Sequence, residues 1–132
     1  MSDRTLDAFV DQTPYARFLG VTFTEDEQGV LGRLPVAPHL IGNPMIPALH
    51  GGAVSAFLEL TATAQLWRAG AGSPRPINLT VAYLRAGRGG REVLARAHVK
   101  RSGRRIANVQ VEAWQDSASR PIALLHAHFM VD

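Results

Sequence analysis

His50-Gly51-Gly52 opens a run of small and apolar residues whose only acid is Glu59. Glycine has no Cβ, so a backbone N–H can come close to a ligand. At a helix N-terminus such donors are unpaired and the dipole favours negative charge. A lone carboxylate in apolar company is a candidate general acid or base. Donors for a developing oxyanion together with a poised carboxylate are the parts of acyl-transfer chemistry. Glu59 follows His50 by nine residues. At about 100° and 1.5 Å per helical residue, the two point to opposite sides and stand roughly 13 Å apart along the axis. They cannot converge on one substrate atom within a single helix. If both are catalytic, the spacing predicts a two-fold homodimer in which Glu59 of one copy meets the His50-Gly51-Gly52 segment of the other. Blander roles compete with each part: a capping histidine, glycines for close packing, a carboxylate held by an arginine.

The elements that must position these residues are legible as changes of period. Val54, Phe57, Leu58, Thr61, Gln65 and Leu66 recur at three- and four-residue steps, which predicts a helix from about Leu49 to Trp67 or Arg68. Small residues fill its other sides, so it should be enclosed. Before it, Ala37 to Pro47 contains three prolines and reads as a long loop without secondary structure, a type that is usually functional. Thr5 to Gln12 predicts a short helix ended by Pro14, and Gly20–Thr24 and Val30–Pro35 predict two strands around an acidic turn. After the breaker region Gly70–Pro76 the period becomes two, with strands over Ile77–Tyr83, Val93–Lys100, Asn108–Trp114 and Ile122–Val131. The expected class is α+β: an antiparallel sheet of about six strands wrapped around one long central helix, with residues 1–132 forming one domain.

Composition narrows the partners. The chain is 46% hydrophobic and 19% charged and has no cysteine, which excludes disulfides, a thiol nucleophile and thiolate metal sites. The first residues show neither a basic nor an apolar leader region, and no apolar stretch is long enough for a membrane span, so a cytoplasmic protein is expected. The net charge of +3 hides an asymmetry: between Arg85 and Arg105 eight bases stand against Glu92 alone. A basic half suits an anionic partner or a solvated face. No aromatic platform interleaves the arginines, which argues against nucleic acid. His126 and His128 share a strand face, but no third ligand at suitable spacing makes them a metal site.

Asn43, then His50-Gly51-Gly52, then Glu59, then Val81-Ala82-Tyr83-Leu84-Arg85, resembles the hotdog-fold thioesterase superfamily, in its PaaI-like (phenylacetate-pathway) branch. The similarity runs from about Pro14 to Val131. It implies an acyl-CoA thioesterase with coenzyme A thioester as substrate and no cofactor. By the resemblance Glu59 is the general base or nucleophile, and Gly51, with Gly52, supplies the oxyanion N–H. His50 holds the carbonyl or the loop, and Asn43 orients substrate or water. Arg85 and the turn carrying Arg101, Gly103 and Arg104 would hold the coenzyme A phosphates. Relatives form homodimers and often dimers of dimers. Two departures are visible. The Asn43-to-His50 spacing is one longer than in some relatives, and Pro76 or Ile77 stands where some carry a Ser or Thr hydroxyl. The missing hydroxyl motivates an alternative, a non-catalytic acyl-CoA-binding hotdog protein. An enoyl-CoA hydratase or dehydratase is the further alternative.

Overall fold

A computed structural model describes residues 4–132. Two short helices come first, α1 (Leu6–Asp11) and α2 (Pro14–Leu19). Thr5 caps α1 by accepting from the Ala8 N–H at 3.2 Å. Pro14 does not simply end the first helix. It starts a second one, because a proline fits the first helical position, where its missing N–H would be unpaired anyway. Gly20, expected to open a strand, closes α2 instead in the left-handed conformation, φ 78°.

Two strands follow, β1 (Thr22–Asp26) and β2 (Gly29–Leu34), joined by the acidic turn. The segment expected as an unstructured loop is in fact ordered. A 3-10 turn at Pro38–Leu40 leads into a small hairpin of β3 (Ile41–Asn43) and β4 (Ala48–Leu49). The central helix α3 spans Gly51–Arg68. The remaining strands are β5 (Arg75–Tyr83), β6 (Val93–Ser102), β7 (Ile106–Trp114) and β8 (Ala123–Met130).

The main sheet has six strands in the order β1-β2-β6-β7-β8-β5, every neighbouring pair antiparallel. The sheet curls around α3. Val93, Ala95 and Ala97 of β6 and Val109, Val111 and Ala113 of β7 point inward and are buried. α3 answers with Phe57 and Leu58, both fully buried. The spacing between helix and sheet is set at Gly32, where a Cβ would stand 2.7 Å from Thr61 Oγ1 and 3.1 Å from the rings of Phe23 and Phe57. Gln65 stitches the two layers, its Oε1 accepting the Val30 N–H at 2.9 Å. This is the hotdog fold.

α3 is apolar almost all round, as befits an enclosed helix. One stripe stays uncovered. Gly52 is exposed, and Ser55 and Ala56, then Glu59 and Thr63 at steps of three and four, are half-buried on one face. A second incomplete edge is β5, which has only β8 as a neighbour and leaves most of its nine residues exposed.

Candidate active site

The start of α3 is held from three directions. The His50 N–H donates to the Leu40 carbonyl at 2.8 Å and the Leu49 N–H to the Gly87 carbonyl at 2.9 Å. The hydroxyl of Tyr83, the last residue of β5, donates to the Gly51 carbonyl at 2.8 Å. The N–H groups of Gly51, Gly52 and Ala53 form the first turn, where no intrahelical acceptor exists. The Val54 N–H is the first to find one, the His50 carbonyl at 3.1 Å. Gly51 and Gly52 are exposed, so two backbone donors face outward at the positive end of an 18-residue helix.

His50 is the N-cap residue, but its side chain caps nothing. Its imidazole lies over Gly42, where a Cβ would come within 2.8 Å of Nδ1. Gly42 is thus required for the ring to sit where it does. Only hindsight links it to the site, because one glycine in a loop rich in glycine and proline carries no spacing signal. Asn43 is spent locally: its Oδ1 accepts the Met45 N–H at 3.0 Å and shapes the tip of the β3–β4 hairpin.

Beside Gly51 lies an open cleft of about 290 Å³, walled by Leu49, Val54, Tyr83, Arg85 and Ile122 among others. It is mostly apolar, with the Gly51 turn on one wall and Arg85 at its rim. The Arg85 guanidinium also donates to the Pro121 carbonyl at 3.1 Å.

Glu59 stands apart from this cluster. It lies two turns along α3 on the uncovered stripe, and its carboxylate has no hydrogen-bond or ionic partner among the described residues. Burial without compensation raises its pKa above the ordinary glutamate value. The structural alternative of an arginine clamp does not operate here. The chain does contain such a clamp elsewhere: Arg96, nearly buried, grips both oxygens of Asp26 at 2.8 and 3.0 Å.

The basic turn is divided from the Gly51 cluster in the same way. Gly103 and Arg104 border a groove with Gln65, Ala69 and Gly70, at the C-terminal end of α3. That is about 21–27 Å from Gly51 along one helix axis. Arg101 and Arg104 line the neighbouring surface with Arg105, and none of the three has a carboxylate partner among the described residues. Arg96 and Arg91, counted with the basic half, are occupied by Asp26 and Asp116.

His126 and His128 face the outer side of the sheet with ring centroids 5.4 Å apart. His128 pairs with Asn78, its Nδ1 2.9 Å from Oδ1. Among the described residues no group of three His, Cys, Asp or Glu side chains could hold a metal ion, and no helix is long and apolar enough to cross a membrane.

Solved structures share this architecture. A protein from Chromobacterium violaceum is 35% identical, with 98% of this chain and 93% of that chain covered and a TM-score of 0.74. A Shewanella oneidensis protein related to the thioesterase superfamily is 28% identical over 98% of this chain and 94% of that one, TM-score 0.82. The PaaI protein of the Escherichia coli phenylacetic acid degradation operon, 19% identical, shares the fold over 94% of this chain and 88% of its own, TM-score 0.74. No curated protein matches the sequence significantly. The family model of the thioesterase superfamily matches residues 47–121, a span that begins just before the His50-Gly51-Gly52 turn and takes in α3 with Glu59, β5, β6 and β7. With that span matched and the fold shared along nearly its whole length, the chain belongs to the thioesterase superfamily.

Proposed function

We propose that this protein is an acyl-CoA thioesterase whose active sites are shared between two copies of the chain. The observation that carries the reading is Glu59: a half-buried, unpartnered carboxylate with a raised pKa, on the one uncovered stripe of a helix whose N-terminus presents free N–H donors. Within one chain Glu59 lies about 12 Å along the axis from Gly51. Two α3 helices lying antiparallel and meeting at Ser55 bring each Glu59 level with the other copy's Gly51. Gly52, Ser55 and Ala56 are small enough for that approach, and the unpaired edge of β5 offers a seam for the two sheets.

The same arrangement supplies a use for the basic turn. With the helices antiparallel, the C-terminal end of the second copy's α3 extends past the first copy's Gly51. Its Arg101, Gly103 and Arg104 then stand out beyond the cleft, on the side where a phosphorylated carrier would leave. Arg85 serves the near end.

In the reaction Glu59 takes a proton from water, and the oxygen adds to the thioester carbonyl. The resulting oxyanion is held by the Gly51 N–H, with Gly52 beside it. Collapse breaks the C–S bond, and the thiolate of coenzyme A recovers the proton from Glu59, leaving a free carboxylic acid. His50, seated on Gly42, borders the carbonyl. Direct attack by Glu59, through an anhydride that water then opens, uses the same geometry.

The test is thiol release from a panel of short, medium, long and aryl acyl-CoAs. Wild type should turn over at least one, and Glu59→Gln should lower kcat by about 10²–10⁴-fold while substrate binding is kept. A fully active Glu59→Gln protein removes Glu59 from the mechanism. Calorimetric coenzyme A binding without turnover across the panel would make this a binding protein. Hydration of an enoyl-CoA in place of thiol release would make it a hydratase. Light scattering that finds only monomer at full activity would end the shared-site arrangement.

A further inference from the structure

The Tyr83 hydroxyl does something the reaction scheme above does not use. It donates to the Gly51 carbonyl at 2.8 Å. That oxygen belongs to the same planar peptide unit as the Gly52 N–H, one of the outward-facing donors at the start of α3. A bond to the oxygen therefore fixes the direction of the N–H across the plane. It also polarises the amide, because hydrogen bonds in series strengthen one another. The first turn needs such a tether. His50 gives no side-chain cap, and two consecutive glycines leave its backbone with the widest conformational freedom a chain can have.

Tyr83 is itself firmly placed. It ends β5 opposite Ala123 of β8. Immediately after it, the N–H groups of Leu84 and Arg85 both donate to the Ile122 carbonyl, at 2.8 and 3.2 Å. The tyrosine ring lies beside Gly51, where a Cβ would stand at ordinary contact distance, 3.4 Å, from its Cζ and Oη.

We propose that Tyr83 is a positioning residue for the oxyanion-binding turn, acting through the Gly51 carbonyl and not through the substrate. This deepens the thioesterase reading and rests on it for the effect on turnover. The effect on the peptide can be read independently. Tyr83→Phe keeps the ring and removes only the hydroxyl. It should lower kcat about three- to tenfold, as expected for one hydrogen bond that matters in the transition state, with KM changed by less than about twofold. The carbonyl ¹³C resonance of Gly51 should move upfield in the variant without substrate present, as that of a carbonyl losing a hydrogen bond does, and the Tm should hardly change. An unchanged kcat overturns the inference, as does an unmoved Gly51 carbonyl resonance. A loss confined to KM also overturns it, because it would make Tyr83 a substrate contact. Should wild type hydrolyse no thioester, the thioesterase reading falls, and the Gly51 resonance alone decides whether Tyr83 holds the turn.

Discussion

Adding one methyl group at Gly32 tests how tightly the sheet fixes α3 and hence Glu59. In Gly32→Ala the new Cβ would stand 2.7 Å from Thr61 Oγ1 and 3.1 Å from ring carbons of Phe23 and Phe57. Thr61 and Phe57 are fully buried. The Thr61 hydroxyl cannot swing away freely, since it donates to the Phe57 carbonyl at 2.8 Å. Overpacking of this kind costs about 1–3 kcal/mol, and breaking the threonine bond would add about 1 kcal/mol. The lower backbone entropy of alanine in the unfolded chain returns about 0.4–1 kcal/mol. The net expectation is a loss of about 1–3.5 kcal/mol. At roughly 4 °C per kcal/mol for a chain of this length, that is a Tm lowered by about 4–14 °C. Chemical denaturation at fixed protein concentration measures it, the concentration mattering for any chain that associates. Removing the hydroxyl as well, in Gly32→Ala/Thr61→Ala, should recover part of the loss relative to the sum of the two single variants. A single variant within about 0.5 kcal/mol of wild type would refute the reasoning. So would strict additivity in the double variant, which would mean that helix and sheet are not in hard contact here.

Two further predictions concern charge. Uncompensated burial raises the Glu59 pKa, so the folded state binds that proton more tightly than the unfolded chain does. Glu59 therefore costs stability above its folded pKa, and the cost disappears below the ordinary glutamate range. Glu59→Gln should melt higher than wild type at pH 7, the gap closing in acid, while the acid limb of wild-type kcat/KM has its midpoint above the usual glutamate value of about 4.3; a Tm at pH 7 equal to or below wild type would count against it. Asp26 has the opposite sign, because hydrogen bonding to Arg96 lowers its pKa. Its contribution is present above the ordinary aspartate value and is lost as pH falls through the folded pKa, so Asp26→Asn should lower the Tm at pH 7 and converge on wild type in acid, followed by circular dichroism.

The sheet could be read from the sequence because it is half-buried. Val109, Val111 and Ala113 alternate with polar residues since one face meets α3 and the other meets water. α3 was legible from a different period, the recurrence of Val54, Phe57, Leu58, Thr61, Gln65 and Leu66 at three- and four-residue steps. Where the reading missed, local chemistry had two meanings. Pro14 marks both an end and a beginning, and Gly20 closes a helix as readily as it opens a strand. Residues 37–47 look unstructured because their hairpin is two to three residues per strand, too short to show a period.

The candidate site was legible in its parts but not in its supports. Glycines at a helix start and one acid within an apolar run stand out, because glycine is a poor helix former and a carboxylate is costly to bury. Gly42 under His50 and Tyr83 on the Gly51 carbonyl do not, because long-range contacts leave no local pattern. The basic turn shows the limit most clearly. In sequence it is a single run that suits phosphate, yet the fold places it at the far end of α3 from the turn that would hold the thioester. Charge composition cannot tell whether those two features serve one site. Helix length can: they are too far apart within one chain, and the proposed antiparallel second copy would bring the turn of one chain toward the Gly51 of the other. Glu59 obeys the same geometry from the middle of the helix. In the proposed dimer an axis beside Ser55 sets Glu59 level with the other copy's Gly51 and leaves the basic turn about 9–17 Å beyond it, whereas an axis moved toward Glu59 would bring the turn level with Gly51 and take Glu59 away from it.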